Sequence, residues 1–111
     1  MQITEHEHKG VVILGISGRI DAGTSDQLKF KLLAAIGDKP VRLVLDFSQV
    51  EFVSSIGLRV LIVAAKRIAV VKGKMVFSGL AGPVREVFEL AGFTSVAKCY
   101  ADQAAAIAAL A

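Results

Sequence analysis

The sequence predicts an α/β fold, a mixed four- to five-stranded sheet with helices mainly on one face. Three observations predict it. Strand-like and helix-like apolar spacings follow one another in the order β-β-α-β-α-β-α-β-α, and strands alternating with helices after an opening hairpin imply a partly parallel sheet. The segment Val41 to Phe47 is apolar on both faces, as a central parallel strand is. Hydrophobic residues make up 54% of the 111, enough for a core without metal or disulfide. The length fits one domain, residues 1–111.

The elements follow in order. Gln2 to His8 and Val11 to Ser17 read as two strands joined by a Lys9-Gly10 turn. Gly18 to Gly23 reads as a loop. Thr24 stands at a helix N-cap with Gln27 three residues on, the spacing of a capping box. Leu28, Leu32, Ala35 and Ile36 follow at helical spacing, and Gly37 suits the C-terminal cap. After Pro40 comes the strand Val41 to Phe47, then a loop Ser48 to Val53. A long helix runs from about Ser55 to Lys72, with Gly73 placed to end it. Lys74 to Leu80 is a strand. Pro83 opens the next helix, whose buried stripe is Val84, Val87, Phe88 and Ala91, and Gly92 closes it. Val96 to Tyr100 forms a short strand and Ala101 to Ala111 the last helix.

Composition excludes several classes. With no Trp and one Tyr, the core is aliphatic with a few Phe. No stretch approaches the roughly 20 apolar residues that span a bilayer, and MQITEHEHKG has no apolar signal core. The reading is cytoplasmic, with no membrane span. Cys99 is the single cysteine, so it forms no intrachain disulfide and is expected as a small buried hydrophobe. His6 and His8 share a strand face but lack an evident third ligand, so no metal site and no cofactor are expected. There is no G-x-S-x-G elbow, no GxGxxG and no Walker lysine motif, and no enzyme is expected.

The net charge is only +3, but its distribution is uneven. Between Phe52 and Arg85 lie six basic residues and no acid. That pattern fits a solvated helix face with its flanking turn, or a docking surface for an acidic partner. Nucleic acid is not expected, because no aromatics interleave with these charges.

The candidate site is the run Val44-Leu45-Asp46-Phe47-Ser48-Gln49-Val50-Glu51-Phe52-Val53-Ser54-Ser55-Ile56-Gly57-Leu58-Arg59-Val60-Leu61. It delivers two serines to a helix N-terminus, where unpaired N–H groups favour an anion such as a phosphoryl group. The alternative is that Ser54 or Ser55 merely caps the helix. At about 100° per residue, Leu58, Leu61, Ala65, Ile68 and Ala69 gather on one side, assigned to the core. Ser55, Arg59, Ile62, Val63, Lys66 and Val70 gather on the other. Aliphatic and basic residues headed by a serine suit a protein-docking face with a modifiable edge. Scattered exposed aliphatics are also ordinary on any surface.

The run VLDFSQVEFVSSIGLRVL resembles the signature of the STAS family, which includes the bacterial anti-sigma-factor antagonists. Gly18-Arg19-Ile20-Asp21 resembles that family's G-R-[LI]-D loop, and Leu80 to Phe93 resembles its third strand-to-helix segment. Together they cover nearly the whole chain.

The resemblance implies a STAS fold and a partner switch. An anti-sigma factor that is itself a serine kinase, of the histidine-kinase-like ATPase superfamily, phosphorylates the antagonist. A PP2C-type phosphatase reverses the modification, and the unphosphorylated antagonist binds the kinase and frees the sigma factor. On this sequence the acceptor falls at Ser55, with Ser54 the second choice. Partner contacts fall at Asp21, Ile56, Gly57, Arg59, Ile62, Val63 and Lys66. The chain departs from the commoner motif in two places. Ser54 replaces Asp, which leaves two adjacent serines, and Ile56 stands where Ser, Thr or Ala is usual. A monomer or weak dimer is expected. The alternatives are a non-switching STAS subunit of a larger assembly, such as a lipid-transport ATPase complex or a stressosome-like scaffold, and a nucleotide-binding STAS domain.

Overall fold

The computed structural model describes residues 1–111. β1 (Gln2–His8) and β2 (Val11–Ile20) form the antiparallel hairpin, with Glu5 opposite Leu14. α1 (Ser25–Ile36), β3 (Arg42–Val53), α2 (Ser55–Val70), β4 (Lys74–Ser78), α3 (Gly82–Leu90), β5 (Cys99–Tyr100) and α4 (Gln103–Leu110) follow. The sheet order is β1-β2-β3-β4-β5, and every pair after the hairpin is parallel. The fold is therefore the expected mixed α/β sheet, with five strands.

Alternate side chains along the strands feed two cores. Leu43, Leu45 and Phe47 of β3 and Met75 and Phe77 of β4 join the larger one, shared with Leu28, Leu61, Val84 and Phe88 of the first three helices. Val11, Ile13, Val44 and Val76 face the other way, where Ala106 and Leu110 of α4 cover them. Helices thus lie mainly on one face, and α4 alone covers the other. Phe77 sits edge-on to Phe47, Phe88 and Phe93, with ring centroids 5.2 to 5.6 Å apart. This geometry suits the ring quadrupoles and ties α3 to the sheet.

Several boundaries depart from the sequence reading. β2 continues to Ile20 and β3 to Val53, where loops were expected. Ser48, Gln49 and Glu51 read as loop because they are polar, yet they lie within β3 between the buried Phe47, Val50 and Val53. Two register shifts, near Gly15/Ser17 and Gly18/Arg19, let the two strands stay paired through this stretch. Thr24 occupies the α1 N-cap but its hydroxyl does not cap. It donates to the Arg19 carbonyl at 2.9 Å and accepts from Asp21 N–H at 3.0 Å, and Gln27 is left exposed. The chain enters α1 through a turn built on Asp21 instead of a capping box.

β4 stops at Ser78 and not Leu80, and α4 begins only at Gln103, capped by Asp102. β5 is two residues long instead of five, because Phe93–Ser95 form a 3₁₀ turn that leaves Val96 exposed. In α3, Val84 and Phe88 are buried, Val87 is half-buried, and Ala91 is exposed beyond the helix end. After α2 the left-handed residue is Lys72, not Gly73. Gly73 is needed for a different reason: a Cβ there would sit 2.5 Å from the Val41 carbonyl oxygen.

Candidate functional site

The two serines do different work. β3 ends at Val53, and Ser54 N–H donates to the Ile20 carbonyl at 2.8 Å, fixing the chain to the end of β2. Ser54 then turns into α2 with extended backbone (φ −84°, ψ 171°), and its Oγ accepts from Gly57 N–H at 3.1 Å. This satisfies one of the orphan N–H groups of the first turn. Ser55 is the first helical residue; it is exposed, and its hydroxyl makes no hydrogen bond. Replacing Ser54 by Ala should cost about 1 kcal/mol, lowering the melting temperature by about 4 °C. Ser55→Ala should leave it within about 1 °C, since no cap is lost. Thermal unfolding followed by circular dichroism measures both.

Behind Ser55 the exposed side of α2 carries Arg59, Ile62, Val63, Lys66 and Val70, as the wheel predicts. Ile62 is 37% exposed, Val63 40% and Ile56 44%. The buried side differs from the expectation. Gly57, Val60, Leu61, Ala64 and Ile68 face the core, Leu58 and Ala65 are half-buried, and Ala69 is exposed. The helix is rotated toward the side where α1 packs against it, which Arg67 marks by donating to the Gly37 carbonyl at the end of α1.

Gly57 is a correction to the candidate contact surface. It is buried, and a Cβ on it would lie 2.6 Å from Ile20 Cγ2 and 3.2 Å from Val53 Cγ1. Its part is to let the first turn of α2 rest against the ends of β2 and β3.

Asp21 is half-buried in the turn just past Ile20, so the Ser54–Ile20 bond brings it next to the α2 N-terminus. Its carboxylate accepts from Gly23 N–H at 3.0 Å and lies 3.8 Å from Arg19 Nε. The Arg19 guanidinium also lies 4.3 Å from the centre of the Phe52 ring, a cation–π contact. Sequence reading missed this Arg19–Phe52 pair. Both residues were assigned to loops, and only the β2–β3 register sets them opposite each other. It also passed over Phe30, 78% exposed on α1, whose signal is an aromatic between Lys29 and Lys31 off the apolar stripe.

The electrostatics are one-sided. α2 contains no acid, and its Arg59, Lys66 and Arg67 are all exposed. Four concavities of about 260 to 380 Å³ mark the surface, and none is lined by Ser55, Arg59, Ile62, Val63 or Lys66. Ser55, Arg59, Ile62, Val63 and Lys66 lie together on an exposed helix surface. His6 and His8 are exposed, with no third candidate ligand beside them. Cys99 is half-buried instead of fully buried as expected, and burial pushes its thiol up from its ordinary value against a lowering pull from Arg85.

Comparison with known proteins bears on this geometry. A family model described as the STAS domain matches residues 2–106. The chain is 35% identical over 109 residues to BtrV of Bordetella bronchiseptica, named as a candidate anti-sigma factor antagonist. The match covers 98% of this chain and 94% of that protein. Among solved structures, an anti-sigma factor antagonist from Mycobacterium paratuberculosis superposes with a TM-score of 0.88 at 29% identity. That superposition covers 98% of this chain and 92% of the other. Bacillus SpoIIAA in its phosphorylated form shares the fold at a TM-score of 0.73 and 17% identity, over 99% of this chain and all of SpoIIAA.

Proposed function

The chain belongs to the STAS domain family, and from that premise we propose that it is an anti-sigma factor antagonist switched by phosphorylation of Ser55. Its exposed α2 face, with Asp21 beside it, is the docking surface for an anti-sigma factor that is also a serine kinase. The kinase transfers the γ-phosphoryl group of ATP to Ser55 Oγ, the hydroxyl proton is lost and ADP leaves. A PP2C-type phosphatase hydrolyses the ester and restores the binding form. The role is one of binding, and this chain catalyses no step of the cycle.

The observation that carries the reading is the division of labour at the helix start. Ser54 Oγ is engaged in the cap while Ser55 Oγ is free and exposed at the head of an aliphatic and basic stripe. A kinase can reach that hydroxyl without opening the fold. A phosphate placed there meets the positive end of α2, so the domain stays folded while the docking face changes. Ile56 takes the place of a small or hydroxylated residue of the commoner motif and adds apolar contact at the rim, which tunes the choice of partner.

Val63 tests the surface. Val63→Asp should weaken binding of the cognate anti-sigma kinase at least tenfold, because a carboxylate is desolvated at the centre of the interface. The melting temperature should move by no more than about 2 °C, since the position faces solvent. Isothermal titration of both proteins with the kinase decides it. Equal affinity for wild type and variant would rule this surface out.

A further inference from the structure

We propose that Arg59 is the counter-ion of the phosphoryl group on Ser55, so that phosphorylation both adds charge and withdraws a guanidinium from the docking face. The inference rests on the reading of Ser55 as the acceptor.

Arg59 is four residues after Ser55 on α2, and residues at that spacing are neighbours on a helix surface. An anion N-terminal to a cation is the favourable order of such a pair. Both side chains are exposed, so they can meet without moving the backbone.

Arg59 is also uncommitted. The chain has five arginines. Arg19 holds Asp21 and stacks on Phe52. Arg42 donates to the Leu110 carbonyl, Arg67 to the Gly37 carbonyl, and Arg85 pairs with Glu89. Arg59 takes part in no ion pair and no hydrogen bond, and α2 offers it no carboxylate. The charged groups at the adjoining end of β2 are Asp21 and Arg19. They neutralise each other, and Asp21 is further held by Gly23 N–H. No carboxylate, Glu51 at the adjoining end of β3 included, forms an ion pair with Arg59, so its guanidinium is unengaged when a phosphate arrives on Ser55.

A guanidinium matches a phosphate with two parallel N–H donors, which a lysine ammonium does not reproduce. In the unphosphorylated chain those donors are free for acidic groups of a partner. In the phosphorylated chain they fold back along the first turn and are lost to the partner.

The test uses the full chain with phosphoserine inserted at position 55 during translation, so that no kinase is needed. Phosphorus NMR follows the second ionisation of the phosphate against pH in wild type, Arg59→Gln, Arg59→Lys and Arg67→Gln. A cation beside the phosphate favours the dianion, so the wild-type midpoint should lie below the ordinary value of about 6. Arg59→Gln should raise it by roughly 0.3 unit or more, and Arg59→Lys should fall between. Arg67→Gln, whose guanidinium is engaged with α1, should match wild type. An unchanged midpoint in Arg59→Gln, or an equal rise in Arg67→Gln, would overturn the pairing. A kinase that leaves Ser55 unmodified would instead overturn the acceptor reading and leave this result standing.

Discussion

Phosphorylating Ser55 is expected to lower affinity for the anti-sigma kinase about a hundredfold, equivalent to about 3 kcal/mol. The phosphate brings about −1.5 to −2 charge and a bulky hydrated group to the edge of a face that must be desolvated on docking. Ser55→Ala should bind as tightly as the unphosphorylated wild type and resist the kinase, giving a permanently active antagonist. Ser55→Asp should weaken binding by less than the phosphate does, because a carboxylate carries one charge and fewer acceptor oxygens. Titration of each form against the kinase, with phosphosite mapping by mass spectrometry, measures all three. Modification at Ser54 would require the cap to open, since its Oγ is bonded to Gly57 N–H, and finding it there would move the switch by one residue. A partner that binds equally well with and without phosphate on Ser55 would replace the switch with a permanent subunit.

Gly57→Val should destabilise the fold by about 3 kcal/mol and lower the melting temperature by about 12 °C. The new branched side chain would have to enter space held by Ile20 Cγ2, Val53 Cγ1 and the Ile20 carbonyl. Because Ile20 O also accepts from Ser54 N–H, pushing the helix away strains the bond that seats the α2 N-terminus. Kinase binding should fall with stability in this variant, in contrast to Val63→Asp, where binding falls alone. Gly57→Ala should be milder, since alanine recovers up to about 1 kcal/mol of helix propensity. An unaltered melting temperature for Gly57→Val would mean that α2 does not rest on the ends of β2 and β3.

The α2 face was legible in the sequence because a helix surface is set by local spacing. Ser55, Arg59, Ile62, Val63 and Lys66 fall on one side at 100° per residue whatever the helix packs against. The order of strands and helices was legible for a similar reason, since apolar period and turn residues are local signals. The extended β2 and β3 were not. Ser48, Gln49 and Glu51 look like loop until β2 pairs with Gln49, Val50, Phe52 and Val53, and the register shifts that skip Ser48 and Glu51 have no local signature.

Sequence alone determined the fold class, the place of the serines at a helix start and the exposed stripe behind them. These depend on periodicity and on residue chemistry near in the chain. Tertiary structure decided which serine is free, because the Ile20 carbonyl holds Ser54 N–H at the end of the paired strands and so sets Ser54 at the cap and Ser55 in the first helical turn. It also decided that Gly57 is buried, that α2 is rotated toward α1, and that Arg59 alone among the arginines has no partner. Each depends on contacts between residues far apart in sequence, such as Ile20 with Gly57 and Arg67 with Gly37, and periodicity within one segment carries no information about what the next layer brings against it.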